Sequence, residues 1–142
     1  MVYGRDGGTV AQLIAAARHT GTARYINTGM NRWSTVHVED LAALYVQAME
    51  QAEAGSVFNG AAGASIILRT LAEAMSQLPG MSGKTTSWSV EEARTLFGPF
   101  ASIIALNQHV SGARAMKQVA WRPKGRSLLE ELEHGTYSQF TQ

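Results

Sequence analysis

Cysteine is absent from this 142-residue chain. Its absence excludes disulfides and thiolate catalysis, removes the sulfur ligands of zinc sites, and fits a soluble protein of the reducing cytoplasm. No apolar run reaches the length of a membrane span, and no basic-then-apolar leader opens the chain. An excess of one charge is missing too. Twelve Lys and Arg stand against eleven Asp and Glu, so no net field drives the chain onto nucleic acid or an anionic membrane. The acids are unevenly spread, however. From Ala93 to Leu129 there are none, while Arg94, Arg114, Lys117, Arg122, Lys124 and Arg126 are basic. A solvated face or a contact for one anionic partner accounts for that stretch better than DNA binding does. His19, His37, His109 and His134 are scattered without metal-ligand spacing, so no metal is expected.

What remains is 45% apolar and 16% charged, a globular composition, and the length suits one domain over residues 1–142. Val2 and Tyr3 read as the last residues of a strand followed by a glycine loop. Thr9 then caps a helix whose stripe is Val10, Leu13, Ile14 and Ala17, and Gly21 stops it. The β-rich runs "RYINTG" and "RWSTVHV" suggest two extended segments meeting across a turn. From Glu39 to Ala52, Leu41, Leu44, Tyr45, Ala48 and Met49 recur at helical spacing, with Asp40 placed to satisfy backbone N–H groups of the helix start.

A short buried strand, Ser56 to Asn59, and a helix capped by Ser65 carrying Ile67, Leu71 and Met75 follow. "KTTSW" reads as a strand, and Ser89 with Glu92 form a capping box for a helix through Leu96. The last third is helical: "FASIIALNQ", Ser111 to Val119, a packing turn at Trp121 and Pro123, and "SLLEELEHG" with Gly135 as its stop. Nothing beyond Gly135 reads as structured. Alternating helices and strands give an α/β layer, helix-rich with few short strands.

Several motifs for chemistry fail on inspection. "NGAAGAS" places Gly60 and Gly63 between a strand and a helix, but Ile66 stands where a phosphate loop needs its third glycine, so an ordinary turn is expected. No Gly-x-Ser-x-Gly elbow is present. His37, between apolar neighbours, reads as a hydrogen-bonded structural residue.

At Val36, His37, Val38, Glu39, Asp40, Leu41 and Ala42 the chain resembles the NAD-dependent epimerase/dehydratase group of extended short-chain dehydrogenase/reductases. "VYGRDGG", "GSVFN", "SGARAMKQVAWRP" and "SLLEELEHGTY" are similar to that family's later elements in order and spacing. The resemblance covers the family's C-terminal half and implies a partial Rossmann-type fold: the substrate lobe plus the last strand of the nucleotide sheet. In the family the other half supplies the glycine-rich dinucleotide loop and a Tyr-x-x-x-Lys pair. Here Tyr3, Tyr25, Tyr45 and Tyr137 are followed four places later by Gly7, Gly29, Met49 and Thr141. General acid/base chemistry therefore lacks its tuned proton donor, and no catalytic or cofactor-binding residue is assigned.

NAD(P) is implied by the resemblance only and is not expected to bind this chain alone. The resemblance points to Tyr3, Arg5, Arg32 and Trp33 as substrate contacts, with a small molecule or nucleotide sugar as ligand. It further implies an exposed apolar face and an open strand edge around Val57 and Phe58, where the missing half would sit. A homodimer, or a separate chain carrying the Rossmann half, is the partner expected to cover them. A non-catalytic, self-associating lobe is the first functional expectation, and a subunit of a split NAD(P)-dependent enzyme the second.

Overall fold

Val10, Leu13, Ile14 and Ala17 are all buried in the computed structural model, which describes residues 1–139. They form the inner stripe of α1 (Gly8–Thr20). Gly7 rather than Thr9 is its N-cap, and Gly21, at φ 70°, closes it in the left-handed conformation. Ahead of it lies β1 (Val2–Tyr3), and after it come β2 (Ala23–Ile26), β3 (Arg32–Ser34) and β4 (Val36–His37).

The two β-rich runs do not pair with each other. β2 runs parallel to β6 (Thr85–Trp88), with Ala23 opposite Thr85 and Ile26 opposite Trp88. β3 pairs antiparallel with β5 (Ser65–Ile67), and β4 pairs parallel with β1. Each run finds its partner far along the chain, so three two-stranded sheets replace the local hairpin suggested by the turn residues. Ser65 correspondingly does not cap a helix. It opens β5 opposite Ser34, and α3 (Leu68–Ser76) starts only after Ile67.

α2 (Val38–Gln51) forms where the periodicity places it, yet only Asp40 and Leu44 of it are buried. Tyr45 and Met49 stay 67% and 80% exposed. Residues Ser56 to Asn59 are not a strand: no neighbour supplies a ladder, and Val57 is 71% exposed. Phe58 instead packs beside Leu41 against a small cluster of Val36, Leu44, Ala115, Val119 and Trp121. The larger core gathers α1, β2, α3, β6 and the C-terminal helices around Trp33, Leu71, Met75, Leu132 and Tyr137.

The remaining helices are α4 (Val90–Phe97), α5 (Phe100–Ile104), α6 (Ala113–Gln118) and α7 (Leu128–His134). Beyond Gly135, Thr136–Gln139 form a 3-10 turn that buries Tyr137. The expectation of no structure there therefore fails at these four residues, and residues 140–142 lie outside the described ones. Among the described residues no helix is long and apolar enough to cross a membrane.

Two capping boxes fasten the later helices. Ser89 with Glu92, and Ser127 with Glu130, exchange reciprocal side-chain and backbone hydrogen bonds. Bonds from Ser89 and Ser127 hold the carboxyls of Glu92 and Glu130 below the ordinary 4.5. A depressed folded-state value adds stability that is fully present above 4.5 and is lost as pH falls through the lowered value. Thermal stability should therefore fall on acidification below about pH 4.5. The double variant Glu92→Gln/Glu130→Gln keeps the capping geometry without a titrating proton, so its melting temperature should fall less over the same range. Equal pH slopes for the two proteins would show that these carboxylates do not set the acid limit.

Candidate functional site

β2 and β6 present Arg24 and Trp88 side by side to a groove of about 900 Å³, which α1, α4 and α5 wall off. Strand alternation explains the pair: Ala23 and Tyr25 turn into the core, while Arg24 stays half-buried on the other face. The Arg24 guanidinium carbon lies 5.2 Å from the Trp88 ring centroid, within cation–π range. Phe97 meets the same indole edge-on at 5.9 Å. Arg24 Nε is buried and donates to no partner, an unused hydrogen bond beside a flat aromatic surface. The walls are mainly apolar, from Ala15, Ala16, Leu96 and Phe100, with polar points at Gln12 and His19. Among the described residues none that lines the groove is acidic. Trp88 itself is only 8% exposed, so the groove offers an apolar wall with one guanidinium at its edge.

The four residues singled out in the sequence lie elsewhere and do not form one cluster. Tyr3 is buried on β1, its hydroxyl donating to Arg126 O at 2.7 Å. Burial first, then the charges of Asp40 and Glu131, push its pKa up to about 12. It is a neutral structural donor at physiological pH. Arg5 is exposed and pairs with Glu39 Oε1 at 2.9 Å, covering the start of α2. Arg32, on β3, is half-exposed and has no acid within ion-pair distance among the described residues. Trp33 is fully buried, its indole N–H donating to Ile104 O at 3.0 Å, which leaves it no surface for a ligand.

Tyr3 instead lines a cavity of about 380 Å³ with Asp40, Ser65, Gly125 and Leu128. The Asp40 carboxylate accepts from Lys124 N at 2.8 Å and from Gly125 N at 2.9 Å, and its own carbonyl accepts the Trp121 indole N–H at 2.8 Å. Asp40 thus satisfies a distant loop rather than its own helix end. His37 takes the capping place: its Nδ1 accepts from Glu39 N at 3.3 Å, as a structural histidine should. Its Nε2 stands 4.0 Å from the buried Glu131 carboxylate, and Tyr3 crosses its ring at 86°.

The glycine loop does not fit a dinucleotide phosphate. A Cβ on Gly60 would meet Leu41 at 2.5 Å, so that glycine serves the chain's own packing. The loop also leads into a strand rather than a helix. Among the described residues no group of three His, Cys, Asp or Glu could hold a metal ion. Arg24, Trp88 and Gln12 were not singled out in the sequence. The signal available was a charged residue inside the β-run "ARYI", which marks one face as different from the core.

No protein-family model matches the chain. A fission yeast relative, the uncharacterized protein C2A9.02 of Schizosaccharomyces pombe, is 32% identical over 137 residues. The match takes in 93% of this chain and 44% of that one, so the chain spans less than half the length of the curated relative. Among solved structures, the dTDP-glucose 4,6-dehydratase DesIV of Streptomyces venezuelae, with NAD and TYD bound, superposes with a TM-score of 0.72 at 14% identity. It takes in 96% of this chain and 40% of its own. UDP-glucuronic acid 4-epimerase of Bacillus cereus, in complex with UDP-glucuronic acid and NAD, gives 0.67 at 15% identity, over 94% of this chain and 40% of its own. Helicobacter pylori ADP-L-glycero-D-manno-heptose-6-epimerase gives 0.65 at 17%, over 91% and 38%. The chain has the mixed α/β, Rossmann-type fold of these enzymes over part of their length.

Removing the Asp40 carboxylate strands two backbone donors of a part-buried loop. Asp40→Ala should cost about 2 kcal/mol, the range for hydrogen bonds to a charged group, read from the urea midpoint. Gly125→Ala should be harmful for a related reason, since a Cβ there would lie 2.6 Å from His37 and 2.8 Å from Asp40. Because both act on one contact, the double variant should lose less than the two losses added.

Proposed function

We propose that this chain is a ligand-holding lobe of the epimerase/dehydratase type, without catalysis of its own, and that the groove beside Arg24 takes a nucleoside-diphosphate compound. The observation that carries this is Arg24 at the edge of an apolar groove: apolar walls for a base, with a guanidinium whose Nε has no hydrogen-bond partner. The bound UDP-glucuronic acid of the Bacillus cereus epimerase and the TYD of DesIV supply the ligand class. Lack of a Tyr-x-x-x-Lys segment argues against turnover by the chain alone. So does the state of Tyr3, whose hydroxyl is committed to a carbonyl and whose pKa stands near 12.

A second reading rests on β1 and β4. A two-residue parallel pair is too short to stand by itself, and parallel sheets are normally covered on both faces. A separate chain carrying the dinucleotide half would extend that sheet, and Tyr3, Arg5 and Arg32 would then contribute substrate contacts beside it.

A thermal-shift titration with UDP-glucuronic acid, NAD and NADPH separates these outcomes. The sugar nucleotide should raise the melting temperature in step with the logarithm of its concentration, by about 2.7 kcal/mol of stability at a hundredfold excess over its dissociation constant. Arg24→Met keeps the aliphatic stem and removes the guanidinium, so it should weaken binding at least about tenfold, a change of about 1.4 kcal/mol. A flat response to all three compounds would sink the ligand-holding reading.

A further inference from the structure

We propose that His19 is a second anion contact of the groove beside Arg24, and that binding of a nucleoside diphosphate there takes up a proton on the His19 imidazole. This rests on the ligand-holding reading of that groove and deepens it into a proton-linked one. Helix spacing places the side chain. Thr9, Gln12, Ala16 and His19 follow one another at intervals of three, four and three, a single stripe of α1, and all four line the groove. The core takes another stripe of the same helix, Val10, Leu13, Ile14 and Ala17, and leaves His19 exposed.

His19 stands in the last turn of α1, where the carbonyl end of the helix favours a cation. The chain then turns at Gly21 and brings Arg24 of β2 to the same groove. A diphosphate carries more than one negative charge, and one guanidinium leaves part of it unmatched; a protonated imidazole on the facing wall supplies the rest. Imidazole is the side chain that gains its charge between about pH 8 and pH 5, so the second contact is conditional where the first is permanent.

The other charged groups nearby do not supply such a change. Arg18 beside His19 and Arg24 on β2 stay cationic. Among the described residues β6, α4 and α5 contribute no titratable side chain to the lining. Arg94 of α4 pairs with Glu91 at 3.0 Å. Glu92 feels the Arg24 charge, but its carboxyl is held below 4.5 and stays ionised across this range. The Met1 amine, pulled below 8.0 by burial, donates to Ser34 O and lines no part of the groove. His37 is committed to capping α2, and His134 lies beside Glu133 at 3.7 Å on α7.

Calorimetric titration with UDP-glucuronic acid at about pH 5.5 and about pH 8 tests this, above the acid limit that the capping carboxylates set. The probe is silent over that range: its diphosphate has no second dissociation, and its carboxyl is ionised above about pH 5. Affinity should be about three- to fivefold higher at the lower pH, the scale of an exposed ion pair. Near pH 6.5, the heat measured in two buffers of different ionisation enthalpy should show a fraction of a proton taken up. His19→Gln should bind equally at both pH values with no proton uptake, whereas Arg24→Met should bind more weakly at both and keep the pH slope. An affinity that ignores pH, or a slope that survives in His19→Gln, overturns the role of His19 and leaves the groove standing as a ligand site. No binding heat at either pH defeats the ligand-holding reading itself, and the proton linkage falls with it.

Discussion

Asp40 holds the molecule's second half to its first. One residue in the first turn of α2 accepts the N–H groups of Lys124 and Gly125 through its carboxylate and the Trp121 indole through its carbonyl. A carboxylate that keeps several backbone donors is a stable use of a nearly buried charge, because its hydration is replaced by fixed dipoles. That contact settles where the turn before α7 sits. It thereby fixes Arg126, whose carbonyl receives Tyr3, and Ser127, whose capping box starts α7. Gly125 is required there since nothing larger fits between His37 and Asp40.

On the other side of the molecule the groove owes its character to a compromise on β2. A strand with one face on the core leaves its alternate residues to solvent or to whatever lies beyond. Arg24 occupies that position with its stem beneath Trp88 and its Nε out of water, a costly arrangement unless an acceptor arrives. The groove thus sets Arg24 against an indole braced by Phe97, with Glu92 near enough to feel the guanidinium charge.

Much of the local structure was legible because its causes are local. The capping box of Ser89 and Glu92, the inner stripe of α1, the strand at Thr85–Trp88 and the extent of α2 all follow from residues within a few places of one another. What was not legible has distant causes. Turn residues between "RYINTG" and "RWSTVHV" suggest a hairpin, but the partners of β2 and β3 lie at Thr85–Trp88 and Ser65–Ile67. Val57 and Phe58 have β propensity without a neighbouring strand, and propensity alone makes no ladder. For the site, the family likeness drew notice to Trp33, which the core claims, and passed over Arg24 and Trp88, which only the parallel pairing of β2 and β6 brings together.

The loop between β1 and α1 has one more consequence, for the order of events during synthesis. Arg5 and Asp6 sit at φ 53° and 54°, a left-handed conformation that costs about 1–2 kcal/mol per residue without a glycine. The Tyr137 hydroxyl accepts from Gly4 N and donates to Gly7 O, while Thr136 Oγ1 accepts from Asp6 N. Those partners lie 130 to 133 residues downstream. A ribosome emitting this chain releases the loop long before its clasp exists, so the loop acquires its shape only when the last turn docks. The turn thus depends on contacts of high sequence separation, whose loop-closure entropy has to be met before they reward it.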